Sequence, residues 1–197
     1  SLATRLIPRH YLHHVSHFFL QIFSLFMRGN RFEDPINGKT YSMLLPYGRL
    51  KSRKNALAPD SMSLERHRLM WLFMKQKTNF FTDKLKVLHI APEYCFINIF
   101  KSMKNLDYIT ADLVSPWADV KMDIHNMPFS DNSFDVIICN HVLEHVEDDK
   151  KAKSLAKYIG DKQRKMYDNR CEVVSLKNAD FGTFYGDNKN LVEGEYL

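Results

Sequence analysis

Between Lys84 and Val146 the chain repeatedly ends a short apolar run on a side chain able to do chemistry. Val87 to Ile90 leads into Ala91, Pro92 and Glu93; Tyr108 to Thr110 leads into Asp112; a Val-Lys-Met run leads into Asp123; Phe134 to Cys139 leads into Asn140 and His141. Carboxylates in such places accept charge-assisted hydrogen bonds from hydroxyl or amino groups, and an imidazole can carry a proton near neutral pH. The runs are β-branched and short, as strands are. Tyr94 to Lys104 has a helical pattern, and a helix opens again near His141. Strands alternating with helices predict a parallel sheet with right-handed crossovers, whose ligands sit outside the carboxyl ends of the strands.

The order of LHIAPE, ITADL, MDIHNMPF and FSDNSFDVIICNHVLEHV resembles class I S-adenosylmethionine-dependent methyltransferases, and more closely the bacterial group whose first loop reads LHIAPE. The resemblance implies a Rossmann-like α/β domain of sheet order 3-2-1-4-5, shortened at its carboxyl end, with S-adenosyl-L-methionine as cofactor. Asp112 then falls where the family grips the ribose hydroxyls, Asp123 where it meets the adenine amino group, and Ile124 beside the ring. Ala91, Pro92 and Glu93 form the loop against the cofactor. Asn140 and His141 stand nearest the methyl group, His141 as base or hydrogen-bond partner of a small-molecule acceptor. One departure is clear. Against the usual acid-x-G-x-G-x-G turn, His89 takes the place of the acid, and Ala91, Glu93 and Cys95 take the places of the glycines, which elsewhere allow φ > 0 and close backbone approach. A non-catalytic relative that binds the cofactor, or only a partner protein, stays open for that reason. A dinucleotide-dependent oxidoreductase is a weaker reading, because no G-x-G-x-x-G follows the first strand.

At 197 residues, 45% apolar and 13% aromatic, the chain can hold one moderate core and an appendage. Its charge of +5 and pI near 9.0 come from interspersed acids and bases, so no nucleic-acid partner is expected. Cys95, Cys139 and Cys171 are odd in number and widely spaced. They read as reduced thiols of a cytoplasmic protein rather than a disulfide framework.

Ahead of the sheet, Pro8 to Met27 repeats bulky residues at helical spacing, at Leu12, Val15, Phe18, Phe19, Ile22, Phe23 and Phe26. It is short and histidine-rich for a transmembrane span, and it shows no small-residue cleavage site of a signal peptide. Its apolar face suits docking on protein, either the catalytic domain or a second copy in a homodimer; with Arg5, Arg9 and Arg28 it also suits weak contact with a membrane surface. Residues 31–62 are rich in turns and charge. Asp34-Pro35-Ile36-Asn37-Gly38 and Ala58-Pro59-Asp60-Ser61 resemble the two knuckles of the zinc ribbon that related methyltransferases carry before SLERHR. The ligand positions would be Asp34, Asn37, Ala58 and Ser61. Ala58 can ligate nothing, so the expectation is the ribbon's shape without its metal. The domains are then 1–30, 31–62 and 63–197. In SLERHR, Ser63 is placed to cap a helix running to Lys75, and Arg66 or Arg68 to meet a carboxylate or phosphate of cofactor or substrate. After the core, Glu147 to Lys165 reads as a charged helix and Cys171 to Leu176 as a fifth strand, with no clear sixth or seventh.

Overall fold

The computed structural model describes residues 9–48 and 51–140, together with 142, 148, 150 and 151. They fall into two compact units, one running to Phe73 and the other beginning at Met74. The expected helix at 147–165, the fifth strand at 171–176 and His141 lie outside the described residues, apart from 148, 150 and 151.

The second unit is built on four parallel strands, β5 (Leu85–Ile90), β6 (Leu106–Asp112), β7 (Val120–Lys121) and β8 (Val136–Cys139), in the order β7-β6-β5-β8. This is the 3-2-1-4 part of the expected order. β5 is central, pairing Leu85 to Ile90 with Leu106 to Ala111 on one side and Val87 to Ile90 with Val136 to Cys139 on the other. Covered on both faces, it and β8 are apolar nearly throughout, as parallel strands are. Helix α3 (Tyr94–Ser102) lays Cys95, Phe96, Ile97 and Phe100 inward at a spacing of three and four. Its Phe96 and Phe100 rings stack at 5.1 Å, and Phe100 meets Phe80 at 5.0 Å and Tyr108 at 5.4 Å. The helix ends where Met103 turns extended and donates its N–H to the Phe100 carbonyl. A second cluster joins Leu88, Ile90, Met122, Ile124, Phe134 and Ile137; truncating a fully buried Leu88 there costs about 2–5 kcal/mol.

The first unit contains α1 (Arg9–Phe26), two antiparallel hairpins and the start of α2 (Glu65–Lys77). The hairpins are β1 (Arg28–Asp34) with β2 (Lys39–Tyr41), and β3 (Leu45–Tyr47) with β4 (Arg53–Leu57). Gly29 is required by the close approach of β1 to the next segment, since a Cβ there would lie 2.6 Å from the Ser42 nitrogen. The segments 34–38 and 58–61 both make turns. In the first, Gly38 donates to the Asp34 carbonyl at 2.8 Å and Ile36 to Asp34 Oδ1 at 3.1 Å. In the second, Met62 donates to the Ala58 carbonyl at 2.9 Å and Ser63 to Ser61 Oγ at 3.0 Å. Asp34 is fully buried, and burial raises its pKa against the opposing effects of Ser61, the Ile36 N–H and the Arg68 charge.

Three expectations change here. The first concerns α1. The docking face expected was the apolar one, but α1 meets its own unit through His17, whose Nε2 lies 2.7 Å from the Asp60 carbonyl, and through the buried Ser24. Phe18, Phe19, Phe23 and Phe26 face outward, Phe26 at 82% exposure. The second concerns the α2 cap, which is not Ser63. The Leu64 N–H donates to His67 Nδ1 at 3.1 Å, while the Ser63 carbonyl accepts from Ala58 and from Arg68. The third is Arg68, which is wholly buried; its Nη1 donates to the Ala56 and Ser63 carbonyls at 3.1 and 3.0 Å, so it serves the ribbon instead of an anionic ligand. Arg66 is half-buried.

Candidate functional site

The strand order places β6 and β7 on one side of β5 and β8 on the other, so successive crossovers leave in opposite directions. In open α/β sheets this switch point, outside the carboxyl ends, is where a crevice for ligand opens. Glu93 follows β5 and Asn140 follows β8, on the two sides of that point. Asp112 ends the neighbouring β6, and Asp123 comes after β7.

The loop after β5 turns without a glycine. Ala91 has φ of +51° and donates its N–H to the Ala111 carbonyl at 2.9 Å, so a residue with a Cβ holds a left-handed conformation that disfavours it. Pro92 is buried and extended Glu93 is the N-cap of α3, yet its carboxylate makes no cap hydrogen bond. Instead Oε2 lies 2.6 Å from His89 Nε2, and His89 Nδ1 lies 2.7 Å from the Tyr108 hydroxyl. Burial, with Glu93's negative charge behind it, raises the Tyr108 pKa, so the phenol stays protonated. Burial, again with Glu93 as the lesser cause, pushes Cys139 up to about 12. β5, β6 and the residue capping α3 therefore meet around one imidazole.

Asp112 is half-buried. Its Oδ1 accepts from the Val114 and Ser115 N–H groups at 2.8 and 2.7 Å, which folds the following turn, and its Oδ2 has no partner among the described residues. Asp119 pins the far end of that loop: Oδ2 accepts from the Thr110 N–H and hydroxyl at 3.0 and 2.7 Å, and Oδ1 from Lys101 at 2.6 Å. Burial opposes ionisation of Asp119, but Lys101 and Thr110 outweigh it and lower the pKa. Asp123 is exposed; Oδ1 accepts from the His125 N–H and ring nitrogen, both at 2.8 Å, and the His125 N–H is the leading cause of its lowered pKa. Ile124 packs into the core cluster with Met122 and Met127. Asn140 is buried, and His141 lies outside the described residues.

The structure thus brings Ala91, Glu93, Asp112 and Asn140 to one edge of the sheet. His89 and Asp119 add to that end, and Tyr108 supports His89 from within β6; all three escaped the sequence reading as site residues, although His89 and Glu93 are four residues apart and already stood at the anomalous positions of the loop. A cleft of about 620 Å³ lined by Lys84, Lys104, Asn105 and Asp135 opens at the other end, at the amino ends of the strands, where ligands of such sheets do not sit.

These features define a Rossmann-like parallel α/β sheet. Residues 86–157 match the family model described as a methyltransferase domain. No curated protein matches the chain. Among solved structures, a candidate methyltransferase from Bacillus halodurans C-125 is 18% identical, covering 62% of this chain and 54% of its own, with a TM-score of 0.39. The YcgJ protein of Bacillus subtilis is also 18% identical, covering 49% and 47%, with a TM-score of 0.39. A SAM-dependent methyltransferase from Aquifex aeolicus is 13% identical, covering 61% and 86%, with a TM-score of 0.36. The chain spans about half the length of the first two.

The residues present fit S-adenosylmethionine. Asp112, at the carboxyl end of β6, offers a carboxylate oxygen with no partner among the described residues, suited to a diol, and Glu93, after the carboxyl end of β5, offers a carboxylate suited to a cation.

Proposed function

We propose that the chain binds S-adenosyl-L-methionine at the carboxyl edge of this sheet and transfers its methyl group to a small molecule. The observation that carries the reading is the position of the Asp112 carboxylate at the end of β6, next to the switch point, with Oδ1 spent on its own turn and Oδ2 without a partner among the described residues. In this reading Asp112 accepts from the ribose hydroxyls and exposed Asp123 from the adenine amino group. Ala91, Pro92 and Glu93 line the loop. Ile124 braces the adenine side from the core rather than from the surface. Asn140 and His141 would serve the acceptor, where a sulfonium's readiness to lose its methyl leaves the protein to position and deprotonate the nucleophile and to exclude water. Buried Cys95 and Cys139, neither in a disulfide, support a cytoplasmic setting. Among the described residues no helix is long and apolar enough to cross a membrane.

Calorimetric titration with S-adenosylhomocysteine tests the site. Asp112→Ala should lose about ten- to a hundredfold in affinity, the worth of a charge-assisted hydrogen bond; wild-type affinity in that variant would remove Asp112. Asp112→Asn separates the two jobs of the side chain, because an amide oxygen still accepts from Val114 and Ser115 while the charge is gone. A second reading, a binding protein without turnover, is favoured by the left-handed Ala91. It predicts S-adenosylhomocysteine binding with no methyl transfer to any acceptor offered.

A further inference from the structure

The function just proposed leaves a buried imidazole near the carboxyl end of β5 unused. His89 is fully buried at the end of the central strand, with Tyr108 on one ring nitrogen and Glu93 on the other. A buried histidine in a parallel sheet is costly unless both nitrogens are satisfied, and here both are. The bonding also fixes the direction of the chain of hydrogen bonds. A protonated phenol donates to Nδ1, which leaves Nε2–H as the donor to Glu93 Oε2. Glu93 is drawn in by that bond: its side chain is only 13% exposed, and as the residue capping α3 it forgoes the usual bond to the helix N–H groups.

The placement has a chemical consequence. The related turn carries its acid at the strand end, where this chain has His89, and a glycine where this chain has Glu93. The imidazole holds the displaced carboxylate back toward the end of β5, with Oε2 2.6 Å from Nε2. The carboxylate is thereby returned to the crevice at the switch point by a residue four positions earlier. Of the groups on S-adenosylmethionine, the ammonium and the sulfonium are the cations, and only the ammonium can donate hydrogen bonds to a carboxylate.

We propose that His89 is a positioning residue that holds Glu93 to receive the ammonium at the amino-acid end of the cofactor. This rests on the methyltransferase reading and adds to it a residue that touches no ligand itself. It also accounts for Tyr108, whose hydroxyl fixes the tautomer that His89 needs.

The test compares two ligands on the full-length protein by calorimetry. S-adenosylhomocysteine carries the ammonium, and methylthioadenosine keeps the adenosine and sulfur but lacks the amino-acid arm. Glu93→Gln and His89→Leu should each weaken S-adenosylhomocysteine by about ten- to a hundredfold and leave methylthioadenosine within about twofold. His89→Gln, whose amide can donate from near the position of Nε2, should recover most of the loss. Equal weakening of both ligands, or no weakening of S-adenosylhomocysteine in folded Glu93→Gln, would overturn the proposal while leaving the cofactor reading standing. A wild-type protein that binds neither ligand would instead overturn the cofactor reading and this inference with it. Should His89→Leu fail to fold, Glu93→Gln and His89→Gln still decide the matter, since neither removes the packing volume of the site.

Discussion

Ala91→Gly is expected to stabilise the protein, although it deletes a methyl group and adds a glycine to the unfolded chain. Ala91 sits at φ +51°, where an L residue loses about 1–2 kcal/mol to the contact between its Cβ and its own backbone. Against relief of that strain stand about 0.4–1 kcal/mol of extra unfolded-state entropy and a few tenths for a half-buried methyl, about half the worth of a buried carbon. The balance is a gain of about 0.5 kcal/mol, or a rise of roughly 1–2 °C in Tm for a chain of this size. So small a shift is decided by comparison with Ala111→Gly, the same chemical change at the residue whose carbonyl accepts the Ala91 N–H. Ala111 is fully buried in β6 with no left-handed strain. It should lose about 1.5–2 kcal/mol from the methyl and the glycine entropy together. The unfolded-state term is common to both variants, so their difference, about 2 kcal/mol, isolates strain and burial. Urea unfolding at fixed m-value reads it. If Ala91→Gly were destabilised as much as Ala111→Gly, the left-handed turn would carry no strain and the reasoning would fail.

Other outcomes follow from the first unit. Asp60 accepts from Tyr41 at 2.7 Å and Lys39 at 2.9 Å, with Arg28 at 3.5 Å; Asp60→Ala should cost about 2–3 kcal/mol by leaving buried donors unpaired, whereas Arg28→Ala and Lys39→Ala, partly exposed partners, should each cost less than about 1 kcal/mol in urea melts. The two buried aspartates also give opposite pH slopes. Burial raises Asp34, so its folded form keeps a proton that the unfolded chain releases, and stability falls as pH rises from its ordinary 3.8 through the raised folded value. For Asp60, burial raises but the Tyr41 and Lys39 bonds outweigh it; its contribution is present above 3.8 and is lost as pH falls through the lowered folded value. Asp34→Asn should flatten the first slope and Asp60→Asn the second in acid-range unfolding curves. On α1, Phe19→Ser with Phe23→Ser should suppress concentration-dependent association in sedimentation velocity, because those rings lie on an outward apolar face; unchanged sedimentation with lost vesicle binding would point to a membrane surface as the partner.

Much of the second unit was legible in the chain alone, because a parallel sheet buries its strands on both faces and writes them as apolar runs. Val87 to Ile90, Phe134 to Cys139 and the helical spacing of Phe96 and Phe100 needed no tertiary information, and the alternation of strand and helix implied a parallel sheet, while the order of its strands came from the resemblance. The acids at strand ends were legible for the same reason, since a run that stops on Asp112 stops at a surface. Partner choice was not legible. Phe18, Phe19 and Phe23 mark a helical face but say nothing of which side turns to the protein, and α1 is held by His17 and Ser24 because Asp60 offers a carbonyl there. Arg68 reads as an anion receptor until the ribbon encloses it between the Ala56 and Ser63 carbonyls. The pairing of His89 with Glu93 likewise appears only when Tyr108 from the next strand supplies the second bond, because a hydrogen bond is decided by distance and direction in space, which the sequence does not contain.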